Sequence, residues 1–349
     1  MSLQIKLRVR LTVLSFLLAV LFFQGTAVAQ QDIAQLRQTA QTFQRQGDYA
    51  NAMLILNRAL QQDAKNIDIL TDIAYVQYLQ RDYKSALSTI KPLVEREDAQ
   101  VRTFQVAGNV YRAIEEVRDC EKTYRNGLKK FPNSGALHSE LGEILWARKE
   151  PEEAISAWES GIRLDPSYSG NYFHAAKFYF AQADKVWSLV YGEIFVNLES
   201  YSNRTTEIKM LLVESYKKFF TQSDVFKQYD ARKKTPFEEA YLETMNRQAP
   251  LAGQGITTAS LVMIRTRFIL DWFEQYASRF PCRIFEQQQY LVREGMYEAY
   301  NQWLFGAVSN MVAYQQWAQT HPEAHNQFNQ YQRNRVFHMP AGQYYGIGK

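Results

Sequence analysis

The chain has 349 residues and a formal net charge of +4, from 40 basic and 36 acidic side chains. Hydrophobic residues make up 46% and charged residues 22%, which excludes a chain that is disordered throughout or collagen-like. A charge balance this close to neutral does not indicate the concentrated basic surface of a nucleic-acid-binding protein. With only 16 Gly and 9 Pro, the composition favours an all-α fold, and the length allows two or three domains.

Residues 1–29 predict a secretory signal peptide. Lys6, Arg8 and Arg10 precede an apolar run over residues 11–23, and the segment ends in Ala27-Val28-Ala29. A positive start, a short apolar core and an A-x-A end are the three parts of such a signal. The run is shorter than the ~20 residues of a spanning helix, which argues against a retained membrane anchor. We expect cleavage after Ala29, export to the periplasm or the medium, and no transmembrane span in the mature chain.

An internal repeat of 34 residues organises the region 30–168. Small residues recur at Ala40, Ala74, Gly108 and Gly142, and large ones at Leu56, Ile90, Tyr124 and Trp158. The register divides the chain into windows 33–66, 67–100, 101–134 and 135–168, each predicted to form two amphipathic helices. We expect the small residues where paired helices approach closely and the large ones in the gap to the next repeat. Residues 169–202 continue the register as a diverged fifth unit.

The repeats resemble the tetratricopeptide-repeat (TPR) family. The third and fourth windows carry the resemblance best, at Phe104, Gly108, Tyr111, Tyr124, Gly127 and Phe131-Pro132, and at Leu141-Gly142, Leu145, Ala154, Trp158, Gly161 and Asp165-Pro166. The resemblance implies an all-α solenoid of about five helix-turn-helix repeats, followed by a second helical region. It also implies a groove whose concave wall comes mainly from the first helix of each repeat.

By their register, twelve residues are predicted to line this groove. They are Arg37, Gln41, Arg45, Tyr75, Tyr78, Gln105, Asn109, Arg112, Glu143, Trp146, Phe173 and Lys177. Amides and arginines can satisfy the backbone and carboxylates of an extended peptide, while rings hold its side chains. The expected function is that of an exported scaffold or adaptor for a protein or peptide partner. We expect no enzymatic activity, no cofactor and no nucleic-acid partner; the oligomeric state stays open.

The second half of the chain, with a helical region over 203–335 and an irregular tail over 336–349, is richer in aromatic residues. An aromatic stripe at helical spacing is usually core. The alternative left open is an aromatic-lined cleft, which would make this half an enzyme or a carbohydrate-binding domain.

Two histidines and two cysteines are the candidates for chemistry. His321 and His325 have the i, i+4 spacing of zinc ligands, with His338 as a candidate third ligand. Pro322 follows His321 directly, however, and this pattern is more typical of a helix start than of a metalloprotease motif. We therefore predict no metal site. Cys120 and Cys282 are interpreted as small buried residues, and whether they are bonded stays open.

Overall fold

The computed structural model describes residues 33–182, 185–221 and 234–346, which contain helices and no strand. The predicted all-α solenoid of paired helices is confirmed. The predicted signal peptide, residues 1–29, lies outside the described residues. The chain divides into two units, one up to Gly127 and one from Leu128. The repeat boundaries expected after residues 168 and 202 stay predictions.

The first unit consists of helices that alternate along the chain as the first and second members of a pair. They are α1 (33–45), α2 (Tyr49–Gln62), α3 (Ile67–Leu79), α4 (Tyr83–Ile90), α5 (Val101–Ala113) and α6 (Val117–Lys130), within which the unit ends. Helix α4 is short because Pro92 follows it and cannot donate a backbone hydrogen bond. A 3₁₀ turn, Leu93–Glu95, leads on from this proline.

The turn inside each helix pair repeats with the sequence. Its backbone enters the left-handed region at Gly47 (φ 77°), Arg81 (φ 63°), Glu115 (φ 64°) and Lys149 (φ 65°), always 34 residues apart. In the first two turns the next residue, Asp48 or Asp82, caps the second helix by accepting a backbone N–H at 3.1 Å. The shared conformation and cap set the direction in which the second helix starts.

A large ring lies against a glycine within the third and fourth repeats. A Cβ added to Gly108 would stand 2.2 Å from the Tyr124 ring, and one added to Gly142 would stand 2.2 Å from Nε1 of Trp158. The predicted pairing of small residues with close helix approach is therefore confirmed here. The large residues do not reach only towards the next repeat, because each of these rings covers the glycine of its own repeat.

The second unit continues the helix pairs and then changes character. Its helices are α7 (Gly135–Ala147), α8 (Pro151–Leu164), α9 (Ser169–Ala181), α10 (Lys185–Leu198), α11 (Asn203–Thr221), α12 (Pro236–Asn246), α13 (Ala249–Ala252), α14 (Thr258–Gln275), α15 (Arg283–Arg293), α16 (Tyr297–Asn301), α17 (Ala307–Ser309), α18 (Met311–Thr320) and α19 (Pro322–Asn334). A π-helical turn, Gln302–Gly306, joins α16 to α17. Helices α7 and α8 coincide with the fourth window, and α9 and α10 with the fifth.

Helix α10 lies at the centre of the second unit. Every residue from Lys185 to Asn197 is buried, and the helix packs against α9, α11 and α12. Such a helix is apolar nearly all round, which is typical of one enclosed by protein. Its one buried acid, Glu193, forms a salt bridge with Arg265 of α14, whose side chain is 1% exposed.

The aromatic residues of the second half form much of this core. The ring of Phe237 lies 5.5 Å from Trp187, 5.3 Å from Trp272 and 5.8 Å from Phe280, centroid to centroid, and all four rings are buried. The aromatic residues that enrich this half therefore serve largely to pack its core. Within the part of the chain that the structure describes, no helix combines the length and apolarity needed to cross a membrane.

The contact between Gly142 and Trp158 predicts a specific sensitivity. Gly142→Ala should lower the free energy of unfolding by about 1–3 kcal/mol, because the added methyl group forces the helices or the ring apart. The matched control is Gly253→Ala, where the nearest atom would be a carbonyl oxygen at 3.4 Å. We expect that change to be neutral or slightly stabilising. Urea unfolding followed by circular dichroism measures both, and equal effects would contradict the close approach.

Candidate protein-interaction surface

In the first unit, the first helices of the repeats lie side by side and are tied together by charge. Asp72 of α3 is fully buried; its Oδ2 accepts a hydrogen bond from Arg37 of α1 at 2.8 Å, and its Oδ1 forms a salt bridge with Arg102 of α5 at 2.8 Å. Arg37 also reaches Asp68 at 3.0 Å. We call the surface formed by α1, α3 and α5 the first-helix face. Arg37, predicted to meet a partner, is therefore paired with two acids of its own chain.

Two tyrosine rings of α3 lie on this face, and a third, at the start of α4, lies next to them. Tyr75 and Tyr78 stack with centroids 6.1 Å apart, and Tyr78 lies 6.0 Å from Tyr83. The guanidinium of Arg102 lies over the Tyr75 ring at 5.4 Å. All three rings are half-buried, so each keeps part of its surface available. Half-buried tyrosines supply apolar contact area together with a hydroxyl group, which suits a binding surface.

The other predicted residues of the first unit lie around these rings. Gln41 and Gln105 are half-buried, and Arg45 is exposed, with its Nε donating to the Gln41 carbonyl at 3.3 Å. Arg112, also exposed, donates to Asn109 Oδ1 at 2.6 Å. The first-helix face thus carries arginines at its edges and amides between them. The three helices of this face carry four arginines, at positions 37, 45, 102 and 112, and two acids, Asp68 and Asp72, so their side chains are net positive.

The second unit has a comparable surface on α7 and α9. Trp146 is 48% exposed and lies against Trp158 at 6.2 Å and Phe178 at 6.0 Å. Glu143 contacts Nε2 of His174 at 3.1 Å, and the His174 ring stacks on Trp158 at 5.0 Å. Trp146 is therefore the predicted residue of this unit that offers most apolar surface to solvent.

Phe173 and Lys177, both predicted to line the groove, contact each other and residues of α11. Phe173 is only 7% exposed, and its ring is covered by Lys177 at 4.9 Å and by Arg204 at 5.0 Å. Lys177 in turn pairs with Glu207 of α11 at 2.6 Å. A partner at this place would therefore meet the cations and not the phenyl ring.

Sequence reasoning missed the residues that link neighbouring helices: Asp72, Arg102, Arg204 and Glu207. A sequence signal for Asp72 exists, because this acid lies among the residues from Ile67 to Val76 of α3, most of which are buried. An acid on such a face needs a cationic partner. The identity of that partner was not predictable, because Arg37 and Arg102 belong to two other helices.

No metal centre is found in the described ranges, where no three His, Cys, Asp or Glu side chains are placed to hold an ion. Helix α19 begins at Pro322, directly after His321, whose ring stacks on Trp317 at 5.3 Å. His325 lies 6.2 Å from the same indole, and His338 is exposed. His321 and His325 are thus packed on an aromatic side chain. Cys120 and Cys282 are both buried free thiols.

Glu193 and Arg265 form a buried ion pair in the second unit. Arg265 donates to Glu193 and to Asn301, and Glu193 also accepts from Tyr300 at 2.7 Å and Gln288 at 2.8 Å. The charge of Glu193 raises the pKa of Arg265 well above its ordinary value, although burial acts in the opposite direction. A network of this kind holds α10, α14, α15 and α16 in register and does not itself point to a ligand.

Comparison with protein families agrees with this architecture. Two tetratricopeptide-repeat models match the chain, one over residues 44–106 and one over 106–169. The chain therefore contains tetratricopeptide repeats, which are a fold for protein–protein interaction and expose extended surfaces along the stacked helices. No curated protein sequence matches the chain.

Solved structures of repeat proteins share part of the fold. Among them is pilF of Pseudomonas aeruginosa, with 15% identity over 59% of this chain and 99% of its own and a TM-score of 0.46. A thermophilic TPR protein of Thermus thermophilus has 14% identity over 53% and 98%, with a TM-score of 0.44. A tetratricopeptide repeat protein of Parabacteroides merdae has 12% identity over 74% and 97%, with a TM-score of 0.40. These values are too low to support a functional parallel.

The pairing at Asp72 predicts that this carboxylate stabilises the first unit. Asp72→Asn keeps the shape but removes the charge between two arginines, so the free energy of unfolding should fall by about 1–3 kcal/mol. Asp68→Asn is the matched control, since the Asp68 side chain is 38% exposed and its ion pair should contribute only about 0.2–1 kcal/mol. Urea unfolding of both variants tests this. A smaller loss for Asp72→Asn than for Asp68→Asn would refute the linking role.

Proposed function

We propose that this chain is an exported scaffold or adaptor that binds an extended segment of a partner protein on the first-helix face of its first unit. The observation that carries the proposal is the pair of half-buried rings on α3, Tyr75 and Tyr78, next to cationic side chains from the flanking first helices. Such a surface offers apolar contact and charge at the same place. The partner segment that fits it is extended and carries acidic side chains.

The chemistry of the face supports this choice. The amides of Gln41 and Gln105 can pair with the backbone N–H and C=O groups of an extended peptide. Arg45 and Arg112, both exposed, can form charge-assisted hydrogen bonds to its carboxylates. Arg37 and Arg102 add positive charge, but their pairing with Asp72 gives them the additional task of holding the helices together.

Export is proposed on the sequence of residues 1–29 alone, with its basic start, apolar run and A-x-A end. We expect the chain recovered from the periplasm or the medium to begin at Gln30, as read by mass spectrometry. A double change in the apolar run, Leu17→Arg with Leu18→Arg, should leave the chain inside the cell with its full length. Recovery of an uncleaved chain outside the cell would contradict the cleavage.

The alternative, an enzyme or a carbohydrate-binding protein, would need an aromatic-lined cleft that is open to solvent. The rings around Phe237 that could have lined such a cleft, including Trp187 and Trp272, are buried in the core of the second unit. We therefore propose the scaffold function and not the cleft.

Charge reversal on the first-helix face tests the proposal. A displayed library of random dodecapeptides is selected on the mature chain, and the affinity of a selected peptide is measured by fluorescence anisotropy. Arg45→Glu with Arg112→Glu should weaken binding at least tenfold, since two attractive contacts become repulsive. The melting temperature should stay nearly unchanged, because both side chains are exposed.

The matched control reverses two exposed arginines of second helices, Arg58→Glu on α2 and Arg118→Glu on α6. This variant has the same net charge as the first, so a general electrostatic effect would weaken binding in both. Loss of affinity in the first variant only is the expected result. Equal affinity of the two variants, or selection of no peptide, would remove the first-helix face as the binding site.

A further inference from the structure

The last described residues of the chain are held against the second unit without forming a helix. After α19, Phe337 and Met339 are 6% and 4% exposed, and the Met339 carbonyl lies 3.5 Å from the Ser167 hydroxyl. Pro340, Ala341 and Gly342 then emerge at the surface. Residues 343–346, Gln-Tyr-Tyr-Gly, turn back onto the unit. We call these four residues the QYYG segment.

Gln343 completes a helix that lacks its own cap. Helix α15 begins at Arg283, and its N-cap residue, Cys282, makes no side-chain capping bond. The side-chain oxygen of Gln343 accepts a hydrogen bond from the Arg283 backbone N–H at 2.6 Å. A first-turn N–H that has no partner inside its own helix is thus satisfied by the QYYG segment.

Tyr344 reaches a buried carboxylate. Glu159 of α8 is 5% exposed and accepts from the hydroxyls of Tyr179 at 2.7 Å and Tyr191 at 3.3 Å. The Tyr344 hydroxyl is a further hydrogen-bond donor to this carboxylate. Burial raises the pKa of Glu159, while the three hydroxyls act to lower it. Each hydroxyl therefore replaces part of the hydration that the Glu159 carboxylate loses on burial.

Tyr345 makes the most extensive apolar contact of the QYYG segment. Its ring lies parallel to that of Phe237, with centroids 4.8 Å apart and an interplanar angle of 5°, and edge-on to Phe280 at 5.6 Å. Its hydroxyl donates to the Pro281 carbonyl at 2.8 Å. The ring and the hydroxyl are both matched, which is how a binding pocket distinguishes tyrosine from phenylalanine.

The glycines before and after the two tyrosines, Gly342 and Gly346, also occupy positions that require glycine. Gly342 has a φ of 84°, which only glycine adopts readily. A Cβ at Gly346 would stand 2.5 Å from the Tyr344 hydroxyl and 2.8 Å from that of Tyr191. The space left beneath the segment is ≈ 10 Å³, no more than a single water needs. The fit therefore depends on side chains along the whole segment and not on one anchor.

From these contacts we infer that the cleft bounded by Glu159, Phe237, Pro281 and Arg283 is a docking site for a Gln-Tyr-Tyr-Gly peptide segment. The chain's own QYYG segment fills it, and the same segment of a second copy is the ligand that it can accept in exchange. Exposed residues 340–342 precede the segment, so its release breaks no helix. This site is separate from the first-helix face and does not depend on the function proposed for that face.

The reporter for occupancy is Cys282, which lines the space beneath the QYYG segment and is 4% exposed. Burial raises the pKa of this thiol to about 12, so it reacts slowly with alkylating reagents at pH 8. Modification is assigned to Cys282 or Cys120 by peptide mass. The competing ligand is an acetylated and amidated peptide of residues 340–346.

In the full-length chain, Tyr344→Ala with Tyr345→Ala should empty the cleft and accelerate alkylation of Cys282 at least tenfold. Excess peptide should restore protection in a saturable way. A peptide with alanine in place of Gly346 should fail to do so, since its Cβ would clash. The matched control, Tyr290→Ala, removes an exposed tyrosine of the same unit and should leave Cys282 protected.

Two results with the double variant would overturn the inference. The first is an alkylation rate of the double variant that the native peptide does not slow although circular dichroism shows the fold intact. The second is restoration by the glycine-to-alanine peptide as well as by the native one. If the double variant loses its helical signal, Tyr345→Phe replaces it, because that change removes only the bond to the Pro281 carbonyl. It should then raise the alkylation rate severalfold and respond to the same peptides, and an unchanged rate would overturn the inference.

Discussion

The close approach of a large side chain to a small residue inside a helix pair is the contact on which the repeat architecture depends, and in the third and fourth repeats it is a ring against a glycine. Tyr124 covers Gly108 and Trp158 covers Gly142, in each case at a distance that leaves no room for a Cβ. Two helices that approach this closely exclude water from the seam between them. The left-handed residue that recurs every 34 positions fixes the turn that makes the approach possible. Stacking of such pairs is what exposes a row of first helices to a partner.

In the second unit the regular pairs give way to a core. Helix α10 completes the fifth pair but is buried on all sides, so it cannot carry a solvent-exposed second-helix surface as α2 does. Its buried acid, Glu193, is neutralised by Arg265 of α14, and their shared network reaches α15 and α16. Removing one partner of such a pair leaves an uncompensated charge, so both ends are constrained together. The helical half after the repeats is in this way fixed to the last repeat.

The sequence predicts the structural features that recur in each repeat, but few of the contacts that occur only once in the structure. The 34-residue period, the helix pairs and the helix start at Pro322 follow from spacing and from proline and glycine chemistry. The positive φ at Arg81, Glu115 and Lys149 could have been inferred from Gly47 by the same period. The partners of Asp72 and Glu193 could not, because they lie on helices whose relative rotation no local pattern encodes. The Tyr345 ring stacks on that of Phe237, more than a hundred positions away in the chain, and no spacing rule relates the two residues.

The predicted groove residues also show why a single candidate residue is less informative than the whole group. Arg37 is predicted as a cation for a partner, yet Asp68 and Asp72 already engage it. Phe173 is predicted as a ring for a partner, yet it is buried under two cations. Arg45 and the rings of Tyr75 and Tyr78 keep surface that a partner can reach. Binding is thus expected to concentrate at the tyrosines and at the exposed arginines, Arg45 and Arg112, while the paired charges orient the helices.

Site-specific photo-crosslinking of a selected peptide tests the binding face most directly. A benzophenone side chain replaces Arg45 on α1 in one chain and Asn57 on α2 in another, both of which are exposed positions of the first repeat. We predict a crosslink at position 45 that excess unlabelled peptide abolishes, and none at position 57. A crosslink at position 57 that is abolished in the same way, with none at position 45, would show that the partner binds the second helices and would contradict the proposed function.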